Sequence, residues 1–217
     1  MKSPERISYF LTGTDTDVGK TYITCLLLES LQKLGRSAAG FKPWCCGDRG
    51  DAQRLQAAGT AGLSLDEINP VWLKTPASPF AAALIENRVL EFDSILRAYQ
   101  AISNSAETVI VEGVGGWEVP VTESQSAADL AQLLGLPVLV VVNNKLGALN
   151  HTILTVRNIQ ARGLRCAGLI LNHVAEERDS ASISNRIVLQ RVLSEVSILA
   201  DVMHGETELD AGFLMGV

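Results

Sequence analysis

The stretch Gly13-Thr14-Asp15-Thr16-Asp17-Val18-Gly19-Lys20-Thr21 lies between an apolar run at residues 7–12 and a helical pattern that begins near Thr21. A strand that feeds a glycine-containing loop and then a helix turns backbone N–H groups toward an anion. The helix brings the positive end of its dipole to the same place. Within such a loop Lys20 reaches outer phosphates and the Thr21 hydroxyl ligates Mg²⁺. The usual phosphate loop has four residues between its first glycine and the Gly-Lys pair; here Gly13 is followed by five, and Thr14 stands where a glycine is expected. A plain turn would account for Gly19 but leaves Lys20 unexplained.

A chain of 217 residues, 47% hydrophobic and 19% charged, is long enough for one α/β domain with a well-formed core. No apolar run reaches the roughly 18 residues of a membrane span, and residues 1–6 lead into a strand without a signal-like apolar region. A cytoplasmic protein is expected. The net charge of −6 has no basic block to set against it, so neither nucleic acid nor an anionic membrane is an expected partner. Cys25, Cys45, Cys46 and Cys166 show neither metal-ligand spacing nor a disulfide framework, and read as reduced thiols.

Down the chain, Tyr22, Ile23, Leu26, Leu27, Leu31 and Leu34 recur at helical spacing up to Gly35. Residues 37–42 read as a strand stopped by Pro43, which leaves Lys42 at the carboxyl end, the ligand edge of parallel sheets. Residues 44–51 read as loop, with Asp51 either capping a helix at 52–58 or serving as a ligand. Short elements follow at 64–69 and 71–73, then helices after Ser78-Pro79 and from 92 to 104. Residues 108–112 form an apolar strand that carries Glu112 to the same edge, with Gly113, Gly115 and Gly116 directly after it. A carboxylate there suits Mg²⁺. After a helix at 127–134, residues 137–142 are the most hydrophobic strand and should be central. Asn150 precedes a helix that runs to about 162, and the strand 166–171 ends in Asn172. A helix at 182–193 and a strand at 197–202 complete a doubly wound, mostly parallel sheet with helices on both faces, of the P-loop NTPase-like kind.

The phosphate loop, Phe41-Lys42-Pro43, Gly50-Asp51-Ala52, Val111-Glu112-Gly113-Val114-Gly115-Gly116 and Asn172, in that order, resemble the dethiobiotin synthase family over about residues 7–175. The long loop is itself part of that family's pattern. The resemblance implies a homodimeric ligase of biotin biosynthesis, in which ATP, Mg²⁺ and CO₂ or bicarbonate convert 7,8-diaminononanoate to dethiobiotin. It implies catalytic roles for Lys20, Lys42 and Thr16 and Mg²⁺ ligation by Thr21, Asp51 and Glu112. Nucleotide contacts are implied for residues 13–21, Asp51, Glu112, Gly113, Gly115, Gly116 and Asn172, whose amide would read adenine. Lys42, Cys46, Gly147, Leu149 and Asn150 are implied substrate contacts, the last three at a helix N-terminus that receives the substrate carboxylate across the dimer interface.

Three positions depart from the family pattern: Asp17 where Glu is frequent, Cys46 where Ser or Thr is usual, and Phe80 where His is common. An alternative is a nucleotide-switch ATPase of the partitioning type, but that class carries an early loop lysine where this chain has Thr14 and Asp15. Residues 206–217 also lack Lys and Arg, so no basic membrane helix ends the chain. A cobyrinate-type amidoligase would need a glutaminase domain for which there is no room. A non-catalytic nucleotide-binding module leaves the set Lys20, Thr21, Lys42, Asp51 and Glu112 without a purpose.

Overall fold

The computed structural model describes residues 6–215. The readings made on the first five residues and on the last two lie outside them. Eight strands and eight α-helices follow one another along the described chain: β1 (Ile7–Gly13), α1 (Lys20–Lys33), β2 (Ala38–Phe41), β3 (Trp44–Cys46), α2 (Gly50–Ala58), α3 (Leu65–Ile68), β4 (Val71–Leu73), α4 (Pro79–Ile85), α5 (Phe92–Ser105), β5 (Thr108–Gly116), α6 (Ala127–Leu134), β6 (Val138–Asn143), α7 (Ala148–Ala161), β7 (Cys166–Asn172), α8 (Ser180–Val192) and β8 (Ile198–Val202), with a short 3₁₀ turn at Gly212–Met215.

Six strands form one sheet in the order β2-β5-β1-β6-β7-β8, every neighbouring pair parallel. Strands β1 and β6 are central, as the unbroken apolar runs require of strands buried on both faces. Phe10 and Leu11 of β1 and Val138, Leu139 and Val140 of β6 are fully buried, and Leu27, Leu28 and Leu31 of α1 belong to the same core.

Register positions the chemistry. Phe41 pairs with Val111 and Leu11 pairs with Glu112, so Glu112 sits level with Lys42 on one side and with the entry to the phosphate loop on the other. The loop leaves β1 at the point where the chain order reverses, between strands reached earlier and later in sequence. Ligands bind at such a switch point, beyond the carboxyl ends of the strands.

Local expectations are corrected at four places. Residues 44–46, read as loop, form β3 and pair in parallel with β4 as a separate two-stranded ribbon, Trp44 against Val71 and Cys46 against Leu73. Asp51 does not cap the helix that follows it, because α2 starts at Gly50 with Arg49 in the capping position. Asn150 likewise lies inside the first turn of α7, which begins after a left-handed Gly147. Strand β5 also extends through Gly116, four residues beyond the expected end.

Candidate active site

Lys20, Thr21, Lys42, Asp51 and Gly115 share the lining of one cavity of about 690 Å³ at the carboxyl edge of β1, β2 and β5. Thr16, Asp17 and Gly19 line it too, as does Cys46. Motifs that lie far apart in sequence therefore meet on one wall.

The loop is held from several directions. Lys20 Nζ donates to the Asp15 carbonyl at 2.9 Å, and the Thr16 N–H donates to Asp15 Oδ1 at 2.7 Å. The Thr14 N–H donates to the Val141 carbonyl of β6 at 3.0 Å. Val18 turns its side chain into the core, 2% exposed, so it anchors the loop. Asp17 adopts a left-handed backbone, φ 56°, which Asp tolerates better than most residues. Gly19 has φ 89°, and a Cβ there would lie 2.2 Å from Asn172 Nδ2, so any side chain is excluded both by backbone and by space. Gly116 of β5 closes against the loop, its would-be Cβ 3.6 Å from Asp15 Cα, while Gly113 packs over Phe10.

Beneath the loop lies a buried charged cluster. Glu112 is fully buried, and its Oε1 accepts from Thr21 Oγ1 at 2.6 Å and from Lys42 Nζ at 2.6 Å. Lys42 also donates to the Gly113 carbonyl at 3.2 Å and faces Asp51 Oδ2 at 3.3 Å. Burial pulls the Lys42 ammonium down, but the Glu112 and Asp51 carboxylates together outweigh it and raise its pKa above the ordinary lysine value. It therefore stays charged at neutral pH. Lys20 is not paired in this way: burial, with Lys42 nearby, lowers it to about 8. Asp51, for which burial alone would raise the pKa, is brought below the usual Asp value by Lys42 and the Thr21 hydroxyl.

The donor set fits Mg²⁺. Two carboxylates and a hydroxyl are hard oxygens, and Glu112 Oε2 is buried without a hydrogen-bond partner. Among the described residues no cluster of three or more His, Cys, Asp or Glu side chains is arranged to hold a metal ion by itself. A sparse protein set completed by phosphates and water is how Mg²⁺ is ordinarily held.

Other expected site residues fall elsewhere. Asn172, assigned to adenine, is 3% exposed, and its Nδ2 donates to the Val18 carbonyl at 2.9 Å, so it braces the phosphate loop. Gly147, Leu149 and Asn150 stand at the start of α7 and do not line the cavity of their own chain. Phe80 does not line the cavity, and its N–H donates to the Pro120 carbonyl at 3.3 Å. Cys45 and Cys46 are both free, and burial pushes each thiol up to about 11. They are protonated at neutral pH and poor nucleophiles. Sequence reasoning did not include Arg54 and the Pro76-Ala77-Ser78 segment, which also line the cavity; the segment follows β4, whereas Arg54 lies within α2, one turn after Asp51.

A parallel sheet with a phosphate loop at its switch point and a buried lysine–carboxylate cluster beneath it defines a P-loop nucleotide-binding protein. Solved structures share this fold: a ParA family ATPase from Chlorobium tepidum superposes with a TM-score of 0.57 at 14% identity, covering 94% of this chain and 86% of that one. The septum site-determining protein MinD from Pyrococcus horikoshii, complexed with Mg-ADP, gives a TM-score of 0.56 at 16% identity, with 98% and 86% covered. The family profile described as an AAA domain matches residues 8–206. Sequence relatives are closer. The ATP-dependent dethiobiotin synthetase BioD of Akkermansia muciniphila is 47% identical over 208 residues, which cover 96% of this chain and 97% of that protein, and the one from Aromatoleum aromaticum is 44% identical over 175 residues, 77% and 78%. The chain belongs to the ATP-dependent dethiobiotin synthetase family.

Proposed function

We propose that the cavity closes the ureido ring of dethiobiotin on 7,8-diaminononanoate, using CO₂ and ATP, within a single catalytic domain. The observation that carries this reading is the pair of lysines. Lys20 belongs to the phosphate loop, whereas Lys42 directly follows β2, on the far side of β5 from β1, is buried, and holds its charge between Glu112 and Asp51 in the same cavity. Simple nucleotide binding has no use for that second cation. An acceptor anion brought up to the γ-phosphate does.

In this account one amine of the diamine adds to CO₂, forming an N–C bond and releasing a proton to give a carbamate. Lys42 binds the carbamate and offsets its charge as it meets the triphosphate held by the loop and Lys20. A carbamate oxygen attacks the γ-phosphorus and the bond to ADP breaks; the loop N–H groups and both ammonium groups face the charge that spreads over the transferring group. The second amine then attacks the carbamoyl carbon, the C–O bond to phosphate breaks, a proton is lost and the ring closes. Thr21, Asp51 and Glu112 would hold Mg²⁺, which supplies charge neutralisation at the β- and γ-phosphates. Thr16 lies on the cavity wall beside Gly115, and in this reading it would be a further contact to the transferring group.

Residues Gly147, Leu149 and Asn150 fit this scheme if the chain works as a homodimer. Standing at the N-terminus of the 14-residue α7, they would offer N–H groups to the substrate carboxylate of a neighbouring copy. Exposed Leu146 and Leu154 flank the segment with apolar surface. Four free thiols suit a reducing cytoplasm, and among the described residues no helix is long and apolar enough to cross a membrane.

The test is to incubate the protein with 7,8-diaminononanoate, bicarbonate, Mg²⁺ and ATP and follow ADP and dethiobiotin. Release of ADP should require the diamine. ATP turnover that is indifferent to the diamine contradicts the reading.

A further inference from the structure

Lys42 must hold its ammonium against two carboxylates that come from different elements, yet nothing in its own side chain fixes its backbone. That fixing comes from Ile68 and Asn69, just before β4. The Lys42 N–H donates to the Ile68 carbonyl at 2.8 Å, and Asn69 Nδ2 donates to the Lys42 carbonyl at 2.8 Å. Both polar groups of the Lys42 backbone are therefore held by one short segment. Asn69 Nδ2 also donates to the Val71 carbonyl at 3.0 Å, and the residue is 1% exposed.

Asn69 is oriented in turn by Arg49. Arg49 Nε donates to Asn69 Oδ1 at 3.0 Å, and Nη2 donates to the carbonyls of Asn69 and Leu65 at 2.9 Å each. Nη1 bonds Asp66 at 2.8 Å, and the guanidinium lies over the Trp72 ring, 5.8 Å from its centroid. With these contacts the amide of Asn69 can present only its NH₂ group to Lys42. Arg49 is also the capping residue of α2, two positions before Asp51. The same residue thus links the helix that carries Asp51 to the side chain that fixes the backbone of Lys42.

We propose that Arg49 and Asn69 form a positioning clamp for the reaction, which sets the spacing between Lys42 and Asp51 and so the place where the acceptor anion is held. Neither side chain appears in the lining of the cavity. They act through Lys42 and Asp51. The proposal rests on the function assigned to Lys42 above, and concerns a step that depends on alignment: displacement of a catalytic group by about 1 Å can cost about a hundredfold in rate.

Asn69→Asp separates positioning from mere packing. The aspartate keeps the size of the side chain and still accepts from Arg49, now as an ion pair, but it loses the donor to Lys42 and sets two acceptors against each other at that point. In the diamine-dependent assay, Asn69→Asp is expected to lower kcat by about tenfold to a hundredfold. The KM for ATP should stay within about twofold, because the phosphate loop and Lys20 are untouched. A residue that only packs the fold would show the opposite pattern in this variant, with kcat kept because its anchor to Arg49 is kept. Arg49→Lys is the second variant, in case the first does not fold: it retains the charge but not the forked geometry, and kcat should fall severalfold with the same unchanged KM for ATP.

Unchanged kcat in either folded variant overturns the clamp, as does a loss that appears wholly as a higher KM for ATP. The wild-type protein is assayed alongside. If it releases ADP without the diamine, the functional reading fails; if it is diamine-dependent and the variants match it, the clamp alone fails.

Discussion

The two halves of the sheet are built from the same repeat of strand, loop and helix, but their carboxyl edges end differently. At the edge of β2, β5 and β1, charged groups converge with bonding capacity left over: Lys42 is clamped between Glu112 and Asp51, while Glu112 Oε2 is buried without a partner. At the edge of β6, β7 and β8, the polar groups satisfy one another. Asn185 donates to Asn144, Asn144 donates to the Ser182 carbonyl, and His173 faces Asp201 at 2.6 Å with Arg186 on the other carboxylate oxygen at 3.4 Å. A network closed on itself rigidifies a scaffold; one left open to a cavity is ready for a ligand. Asn172 joins the two, standing on β7 and holding the Val18 carbonyl of the phosphate loop.

Removing the cation from the open edge should have the largest effect. Lys42→Ala is expected to lower diamine-dependent turnover by about a hundredfold to a thousandfold. It also leaves Glu112 buried without its counter-charge, and breaking such a pair costs about 3–5 kcal/mol. Steady-state kinetics with a melting curve reads both effects; a stable variant with normal turnover would remove Lys42 from the mechanism. Glu112→Gln tests the leftover oxygen. The Mg²⁺ concentration for half-maximal activity should rise about tenfold or more, measured by titrating the metal at saturating ATP, and an unchanged requirement would take Glu112 out of the metal site.

Proton linkage gives a smaller signal from the same edge. Lys20, lowered to about 8 in the free protein, regains its proton when a polyphosphate lies beside it. At about pH 8.5 nucleotide binding should therefore take up a fraction of one proton, and below about pH 7, where Lys20 is already charged, almost none. Calorimetry in buffers of different ionisation enthalpy reads the uptake directly. The closed edge should respond least in catalysis. His173→Ala should reduce stability by about 1–3 kcal/mol yet leave kcat within about twofold. A large kcat loss at unchanged stability would erase the contrast between the two edges.

Much of this was legible in residue order because the signals are local. The apolar runs of β1, β5, β6 and β7 mark buried parallel strands; Lys20 comes after β1 and its loop, Lys42 directly after β2, and Glu112 at the end of the apolar run of β5, so a parallel sheet brings them to a common edge. What was not legible depends on distant partners. The three residues of β3 are too few to show a period, and they are strand only because residues 71–73 lie alongside. Gly50 reads as loop and Asn150 as preceding its helix, although α2 begins at Gly50 and α7 directly after Gly147, which puts Asp51 and Asn150 inside the first turns. An Asn after a strand suggests polar recognition, but the bond from Asn172 to Val18 spans 154 positions. Arg49 and Asn69 act on backbone carbonyls, and no side-chain pattern announces such a partner.

In the proposed reaction a carbamate oxygen reaches the γ-phosphorus at the open edge, and an isotope follows that atom. With ¹⁸O-labelled CO₂, the diamine, Mg²⁺ and unlabelled ATP, one labelled oxygen should leave in the phosphate released with each dethiobiotin formed, as mass spectrometry of the phosphate would read. Phosphate that carries only solvent or ATP oxygen, in a reaction that still forms dethiobiotin, would contradict it.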